Sequence, residues 1–461
     1  MEHAAGAPTT TSTPPSGTAP GLFLSCFSGP DAGKRVALSG QILSIGTAAS
    51  NNILSDDPEV SPKHAVIAIE RGVLSVEPIG GSPVFLDGNE VRGETSLARG
   101  QQLRVGRSLW RLTNARGEIP PESGFFSKWS ARVSAAAGLE RVQGFSLGDL
   151  LSDVFTRRSD AEVEEYFVGG TPTTTPEVMS VATDWPRPWA FARIFLLSVV
   201  AYFLLVYGFR EFGNPYFLPG IMVVGSLAFP LTILIFFYEM NVPRNVSLLF
   251  LLKWLVFGGV LSLLAALFGF RVSNLSSWLG AMSAGIVEES AKLVALLLVA
   301  RNTRYRWTLN GLLIGAAVGT GFSIFETMGY VFVQGFLKGG QDGMFAIITQ
   351  RGWLNLLGDH SLWTGLVGAA LWRVRGVSEF RFDMLSDPRF LRVFALVVAL
   401  HMVNNMPVNL PLFGKYLVIG FVAWATILSF IQYGLREVRS AQLANTAGAA
   451  AGTGATTTVG R

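Results

Sequence analysis

Eight apolar runs, each close to the length that crosses a lipid bilayer, dominate the second half of this sequence. An α-helix needs about 20 apolar residues to span the hydrocarbon core, because it rises only about 1.5 Å per residue. The runs lie at 190–209, 217–238, 246–269, 278–300, 309–333, 353–373, 389–406 and 412–433. They predict a C-terminal all-α polytopic membrane bundle of about eight transmembrane helices.

The composition of the chain agrees with a membrane protein and excludes several other classes. Charged residues make up 15% of the chain, against roughly 25% in soluble domains. The one cysteine, Cys26, cannot form a disulfide framework or a cysteine metal site. The net charge of +4 is small and no basic run marks a nucleic-acid surface, so nucleic acid is not an expected partner.

The distribution of arginine and lysine around the runs predicts the orientation of the chain. The N-terminal segment lacks the basic and apolar regions of a signal peptide, so it is expected in the cytosol. The cytosolic segments near the runs then hold twelve basic residues and the opposite loops hold five, in agreement with the positive-inside rule. We therefore expect a multi-pass plasma-membrane protein with both termini cytoplasmic. In the alternative, one of the two most polar runs, 353–373 or 389–406, is re-entrant.

Four consecutive runs contain polar residues whose placement in a membrane is costly, and such residues are usually functional. They are Glu288, Glu289 and Lys292 in the fourth run, Glu326 in the fifth, Asp359 and His360 in the sixth, and His401, Asn404 and Asn405 in the seventh. At about 1.5 Å rise per residue, Glu289, Glu326, His360 and His401 fall between the midplane and the outer leaflet of a core roughly 30 Å thick. The sequence therefore predicts one layer of carboxylates and imidazoles contributed by four helices.

Hydrolysis is the chemistry that this set of side chains favours. A buried carboxylate can take a proton from water and return it to a leaving amine, while imidazole and amide groups can donate to an oxyanion. Alternatively, Glu and His can bind a divalent metal such as zinc that activates the water. The sequence has no HExxH motif of the common soluble zinc proteases. Two other classes stay open: a proton-coupled transporter or channel, and a non-catalytic membrane scaffold.

The order of these motifs resembles the PrsW intramembrane proteases, relatives of the CAAX prenyl endopeptidases. The motifs are EExxK at 288–292, FxxxE at 322–326, an isolated His360, and HxxxN at 401–405. The resemblance covers residues 189–435. It implies a bacterial membrane protease, of the metallo or glutamate type, that cleaves a single-span membrane-tethered protein such as an anti-sigma factor in regulated proteolysis.

The resemblance also implies roles for individual residues. Glu288 or Glu289 is the expected general base, and Glu326, His360, His401 and Asn405 complete the catalytic set. Lys292 and Phe322 support it. If a metal is present, Glu289, Glu326, His360 and His401 are its expected ligands.

Residues 22–113 have a different pattern, with short alternating strands separated by Gly and Asp-Gly turns, which predicts an antiparallel β-sandwich. The stretches SIGTAASNNILSDDPEVSPKHAVI and VFLDGNEV resemble a forkhead-associated (FHA) domain, a family that binds phosphothreonine proteins. Ser61 and His64 match the family's S-x-x-H. Thr47 and Asp87 stand where the family has arginine and asparagine, so a domain that no longer binds phosphothreonine is the alternative.

The whole chain is therefore predicted to be a multi-domain protein. A disordered tail covers residues 1–20, the FHA-like β-sandwich 21–114, a polar linker 115–188, the membrane bundle 189–435 and a second disordered tail 436–461. The FHA-like domain is expected to recruit or regulate the membrane domain.

Overall fold

The computed structural model of this chain describes residues 23–38, 42–70, 73–79, 82–97, 101–113, 125–140, 142, 145, 147–408 and 410–454. The chain divides into two compact units, Met1–Ser127 and Lys128–Arg461. The predicted N-terminal tail at 1–20 and the last seven residues lie outside the described residues.

The first unit is all-β, as predicted, and its described strands form two sheets. The strands are β1 (Phe23–Ser28), β2 (Arg35–Ala37), β3 (Leu43–Gly46), β4 (Ile53–Leu54), β5 (Ala65–Glu70), β6 (Val73–Pro78), β7 (Val84–Leu86), β8 (Asn89–Glu90), β9 (Thr95–Ser96), β10 (Gln102–Val105) and β11 (Ser108–Thr113). One sheet has the order β2-β1-β11-β10-β7-β8 and the other β4-β3-β5-β6-β9. Only β3 and β4 pair in parallel among these neighbours.

Alternation of side chains along the strands builds the core of this unit. Leu24 and Cys26 on β1 are buried, as are Trp110 and Leu112 on β11. Successive residues of a strand point to opposite faces, so every second residue enters the core. Cys26 thus packs as a small apolar residue, and its thiol donates to the Ser28 carbonyl at 3.2 Å.

A buried carboxylate joins the loops at one end of the β-unit. Asp31 accepts hydrogen bonds from the Lys34 Nζ at 2.6 Å, the Ser55 Oγ at 2.5 Å and the Asp56 N–H at 2.7 Å. Burial raises the pKa of the Asp31 carboxyl, but the hydrogen bonds outweigh burial and hold the pKa below its usual value. Asp31 is therefore a charged structural contact between two loops.

The helices follow the β-unit in sequence. They are α1 (Phe125–Ala136), α2 (Leu147–Leu151), α3 (Asp160–Val168), α4 (Ala190–Phe212), α5 (Phe217–Met240), α6 (Leu248–Lys253), α7 (Gly259–Ser273), α8 (Leu275–Leu279), α9 (Ser283–Ala300), α10 (Thr308–Tyr330), α11 (Lys338–Leu357), α12 (His360–Arg375), α13 (Pro388–Asn405) and α14 (Gly414–Gly454). π-Helical turns at Trp254–Gly258 and Val331–Leu337 join α6 to α7 and α10 to α11. The backbone of α11 breaks at Gly340, which has a positive φ of 63°.

Five helical segments in the described residues are long and apolar enough to cross a membrane. They are Ala190–Phe212, Phe217–Met240, Leu248–Ser273, Thr308–Gly352 and Pro411–Asn445. The predicted number of about eight is not confirmed. The fourth predicted run becomes α9, which has three charged residues in 18, and the sixth becomes α12, which is only 16 residues long. The charged site residues thus lower the apolar character of α9, whereas α12 is too short by itself.

Helix α10 is the centre of the helical unit, because every residue from Thr308 to Ile324 is buried. Glycines four residues apart on α10 face α12. A Cβ on Gly315 would lie 2.3 Å from the Thr364 carbonyl oxygen, and a Cβ on Gly319 would lie 2.1 Å from that of His360. Small residues at this spacing let helix backbones approach closely. The glycines therefore bring the first turn of α12 directly against α10.

The polar segment before α4 packs on the helical unit, although its composition predicts a linker. Gln442 of α14 donates to the carbonyls of Val178 and Val181 at 2.8 Å each. Arg304 donates to the Gly170 carbonyl at 2.6 Å. Helix α14 continues past residue 436, where the sequence predicts a disordered tail, and reaches Gly454.

Candidate active site

The predicted polar residues meet at one end of the helical bundle. Glu288 and Glu289 lie in the second turn of α9, and His360 is the first residue of α12. Glu326 and His401 each lie four residues before the ends of α10 and α13. Two helices begin here and two end here, so four separate apolar runs contribute to one cluster. The depth of this cluster in a membrane stays a prediction.

A chain of hydrogen bonds connects three of these helices. The Lys292 Nζ donates to Glu289 Oε1 at 2.6 Å and contacts His360 Nδ1 at 2.8 Å. The same Glu289 oxygen lies 2.8 Å from His401 Nδ1. Because an ammonium group only donates, His360 Nδ1 accepts, whereas His401 Nδ1–H donates to the carboxylate. The Nε2 atom of His401 therefore carries a free lone pair.

Glu288 is the carboxylate that faces this lone pair. Its Oε2 lies 3.7 Å from His401 Nε2, and this oxygen is buried without a hydrogen-bond partner among the described residues. Glu289 Oε2 is also buried and unpartnered, but Glu289 Oε1 is already bound by Lys292 and His401. The two adjacent glutamates thus differ. Glu289 is bound by Lys292 and His401, whereas Glu288 has a buried oxygen that can still bind a proton or a ligand.

Glu326 forms the more open side of the cluster, since 15% of its side chain is exposed. Its Oε2 accepts from Arg351 Nη2 at 2.6 Å and lies 3.0 Å from His360 Nε2. Arg351 comes from α11 and also donates through Nε to the Thr327 hydroxyl at 2.9 Å. His360 therefore connects Lys292 on one side with Glu326 on the other.

Aromatic rings hold the two imidazoles in place. The Phe322 ring lies edge-on to His360 at 4.9 Å and also lies 4.7 Å below the Lys292 Nζ. The Trp363 ring packs against His401 at 4.6 Å and against His360 at 5.3 Å. These buried rings exclude water from the inner side of the cluster, which strengthens its electrostatic contacts.

Asp359 fixes the start of α12 and thereby the position of His360. One oxygen of Asp359 accepts from the Ser361 N–H at 3.2 Å and from the Ser361 hydroxyl at 2.7 Å. The other accepts from the Ser323 hydroxyl of α10 at 2.6 Å. An Asp at this place satisfies helix N–H groups that have no partner within the helix.

The donor set fits a divalent metal ion. Glu288, His360 and His401 each offer one ligand atom, and these atoms lie within 4.8 Å of one another. Two imidazoles and a carboxylate are a common catalytic zinc set. Glu289 bonded to His401 Nδ1 is the outer contact that such ligands usually have. This set contains Glu288, where the sequence resemblance implies Glu289 and Glu326.

The charges of the cluster also favour an added positive charge. The three carboxylates of Glu288, Glu289 and Glu326 meet two cations, Lys292 and Arg351. An uncompensated buried charge is costly, so a proton or a metal cation must balance the third carboxylate.

Not every predicted site residue joins the cluster, and two further residues do. Asn405 donates to the Ala281 carbonyl at 3.4 Å, and no hydrogen bond in the described part of the chain connects it to the glutamates or histidines. Arg351 and Trp363 were not predicted. Arg351 counts as a loop charge in the sequence, and Trp363 resembles any apolar helix residue. A charged residue two positions before the sixth apolar run begins was the available signal for Arg351.

The four FHA-like candidates form two separate contacts in the β-unit. The Thr47 N–H donates to the Ser61 carbonyl at 3.1 Å, and the Ser61 hydroxyl contacts that of Ser82 at 2.6 Å. Buried His64 accepts from the Ser61 N–H at 3.1 Å and lies 3.1 Å from the Pro83 carbonyl, so it holds the loop. Asp87 has a positive φ of 50° and accepts from the Gln102 N–H at 2.8 Å.

Residues 243–431 match the protein family described as PrsW family intramembrane metalloprotease. Residues 25–116 match the family described as inner membrane component of T3SS, cytoplasmic domain. Among curated proteins, no sequence matches the chain.

Several solved domains are similar to part of the chain. The FHA domain of the CT664 protein from Chlamydia trachomatis is 22% identical over 20% of this chain and 97% of that chain, with a TM-score of 0.20. The FhaA FHA domain, solved with the intracellular domain of Rv3910, is 22% identical over 20% of this chain and 99% of that chain, with a TM-score of 0.19. The cytoplasmic domain of the T3SS sorting platform protein PscD from P. aeruginosa is 17% identical over 22% of this chain and 85% of that chain, with a TM-score of 0.20.

The motifs predicted from the sequence agree with these family matches. Residues 243–431 of the helical unit thus match the PrsW protease family, and the β-unit before them matches a cytoplasmic-domain family over residues 25–116.

Proposed function

We propose that this chain is an intramembrane endopeptidase that hydrolyses a peptide bond in a membrane-tethered, single-span protein. The observation that carries this proposal is the unpartnered Glu288 carboxylate, which is buried 3.7 Å from a free imidazole nitrogen of His401. A buried acid beside an imidazole can transfer protons to and from a reacting water. By the family resemblance, the substrate is of the anti-sigma-factor class.

Glu288 is the general base in this proposal. It accepts a proton from water as the water oxygen attacks the scissile carbonyl, and it returns that proton to the amide nitrogen as the peptide bond breaks. Glu289 does not transfer protons. It orients His401 and neutralises Lys292, because one of its oxygens contacts both groups.

His360 and Glu326 define the position of the substrate in this proposal. Glu326 and Arg351 are the partly exposed members of the cluster, with 15% and 24% of their side chains exposed. A peptide therefore reaches the cluster from their side. Arg351 supplies positive charge next to the carbonyl on which negative charge develops.

If a divalent metal ion such as zinc were bound, Glu288, His360 and His401 would hold it, and Glu288 would then act as a ligand in place of the general base. When bound there, the ion would polarise the scissile carbonyl and make the attacking water more acidic. His360 Nδ1 and Nε2 contact Lys292 and Glu326, so ligation by His360 requires one of these contacts to change.

The orientation and the role of the FHA-like domain are part of the same proposal. The excess of arginine and lysine on one side favours cytoplasmic termini in the plasma membrane, with the Glu/His cluster toward the outer leaflet. The FHA-like domain is then a cytoplasmic module that recruits or regulates the protease. Thr47 and Asp87 replace two phosphate-binding residues of the family, so a phosphothreonine partner would be bound without these contacts.

Purified protein in detergent, incubated with a panel of single-span substrates, tests the proposal. Cleavage by wild type and its loss in Glu288→Gln are expected, while Asp342→Asn, an exposed acid-to-amide change on α11, should cleave normally. Equal cleavage by Glu288→Gln would remove Glu288 as the base. Proton flux in proteoliposomes without cleavage would favour the transporter class, and the absence of both activities would favour a scaffold.

A further inference from the structure

A second polar site lies at the end of the helical unit opposite to the Glu/His cluster. A cavity of about 280 Å³ opens where α9 ends and α10 begins, and Arg304 and Arg306 line it. Glu289 and the last residue of α9, Ala300, are 11 residues apart, which is about 17 Å along the helix. We call this the Arg304/Arg306 cavity. It shares no residue with the candidate active site.

The two guanidinium groups of this cavity form no close ion pair with a carboxylate in the described part of the chain. Neither Arg304 nor Arg306 has a carboxylate oxygen within 4.0 Å among the described residues, and no acidic residue lines the cavity. The nearby Glu437 carboxylate accepts the Thr308 N–H at 2.8 Å instead. Arg306 stacks on the Trp307 ring at 4.5 Å. The cavity therefore presents two guanidinium groups to an anion, although the Glu437 carboxylate is near enough to Arg306 to interact with it electrostatically.

The walls of the cavity are tied together by hydrogen bonds. Arg304 donates one N–H to the Gly170 carbonyl, which leaves its other donors for a ligand. The segment that lines one wall of the cavity forms a turn at Thr175, whose N–H and hydroxyl both donate to the Thr171 carbonyl at 3.0 and 2.6 Å. Gln442 holds the same segment through the carbonyls of Val178 and Val181. Hydrogen bonds thus fix the backbone of the wall that residues 170–181 form.

The other lining residues are mainly apolar. They include Pro172, Pro176, Val178, Pro243, Trp307 and Val438. Apolar walls add no favourable free energy to the binding of a small inorganic anion. An amphiphile, in contrast, would bury apolar atoms against them and bind more tightly. The cavity also lies at the ends of membrane-spanning segments, on the side with the excess of arginine, where anionic headgroups are found.

We propose that the Arg304/Arg306 cavity binds the phosphate group of an anionic phospholipid. Guanidinium groups bind phosphate oxygens in pairs of parallel hydrogen bonds, and two arginines can do so from two sides. The apolar walls then contact the glycerol and the start of the acyl chains. This inference does not depend on protease activity.

Native mass spectrometry of the full chain, released from neutral detergent with added phosphatidylglycerol or phosphatidylcholine, tests the proposal. Wild type should retain phosphatidylglycerol in preference. The double variant Arg304→Gln/Arg306→Gln should retain about tenfold less phosphatidylglycerol. Each guanidinium that is removed takes away charge-assisted hydrogen bonds to the phosphate, and their loss weakens binding. Arg304→Lys/Arg306→Lys, which keeps the charge, should retain an intermediate amount.

A matched double variant controls for charge. Arg381→Gln/Arg389→Gln removes two arginines that pair with Asp383 and Asp387, and it should retain the lipid like wild type. Equal retention by the Arg304/Arg306 variant, or an equal loss in the control, would overturn the proposal. Binding of inorganic phosphate alone, with no lipid retained by wild type, would overturn a lipid source. Unchanged thermal unfolding of both variants shows that folding is intact.

Discussion

Arg351 and Glu326 lie 25 residues apart in the sequence, and the Arg351 Nη2 donates to Glu326 Oε2 at 2.6 Å. The same Glu326 oxygen contacts His360, so Arg351 on α11 controls the charge next to an imidazole of the proposed site. The apolar runs alone do not show that α11 contributes to this cluster.

Arg351→Ala should lower the turnover of a cleaved substrate about tenfold to a hundredfold, because a partly buried carboxylate loses a charged hydrogen bond of about 1.5–3 kcal/mol. Arg351→Lys keeps the positive charge without the second contact to Thr327, so it should recover part of the turnover that Arg351→Ala loses. Steady-state kinetics of both variants checks this. Lys338→Ala on the same helix, an exposed residue bonded to Gln334, should behave like wild type. Wild-type turnover in Arg351→Ala would contradict a role for this residue.

Gly319→Ala should disrupt the site without touching a polar group. A Cβ on Gly319 would lie 2.1 Å from the His360 carbonyl oxygen, so α12 must move away from α10. Such overpacking costs about 1–3 kcal/mol, and His360 moves with its helix. A lower thermal unfolding temperature together with reduced cleavage is expected. Gly329→Ala is the matched control on α10, because nothing lies within 4 Å of its added Cβ. Equal behaviour of the two variants would refute the close-contact argument.

Metal content should depend on Glu288 and His401 and not on Asn405. Glu288→Gln and His401→Ala each remove one of the three clustered ligand atoms, so both should contain less zinc after dialysis against the metal. Asn405→Ala should retain it, because Asn405 bonds to the Ala281 carbonyl instead. Elemental analysis of the purified variants measures this directly. Loss of metal in Asn405→Ala alone would show that the ligand set is different.

The stability of the β-unit should depend on pH through Asp31. Hydrogen bonds hold the folded pKa of Asp31 below its usual value of about 3.9. The stability that the charged Asp31 carboxylate gives to the β-unit is therefore fully present when the pH is above this usual pKa. It is lost as the pH falls through the lower pKa of the folded state. Asp31→Asn should destabilise the unit by about 1–3 kcal/mol at pH 7, and the difference from wild type should shrink in acid.

Hydrogen exchange of peptides from residues 23–113 in the full chain measures this difference. Asp56→Asn is the control, since Asp56 forms only an exposed ion pair with Lys34 beyond its backbone contact. Exposed pairs contribute about 0–1 kcal/mol. A constant difference between wild type and Asp31→Asn from pH 7 to acid would contradict the assignment.

The sequence does not distinguish the roles of the two adjacent glutamates, Glu288 and Glu289. Glu288 and Glu289 follow one another in the motif, and both are equally unusual in an apolar run. Consecutive residues on a helix point about 100° apart, so only the rotation of α9 against α13 decides which one meets each imidazole nitrogen. Asn405 likewise shares a helix face with His401, but it is the last residue of α13 and donates to the Ala281 carbonyl instead.

The sequence alone predicted the two-part organisation and the membrane character, and it singled out Glu288, Glu289, Glu326, His360 and His401, which the structure brings into one cluster. It could do so because apolar length and strand alternation are local patterns, and an ionisable side chain in an apolar run is costly enough to be recognised by itself. Only the tertiary structure decided that Arg351 pairs with Glu326, that Gly319 positions His360 and that Arg304 and Arg306 face one cavity. These relationships join residues from different helices, and they depend on helix rotation and close packing, which no single run encodes.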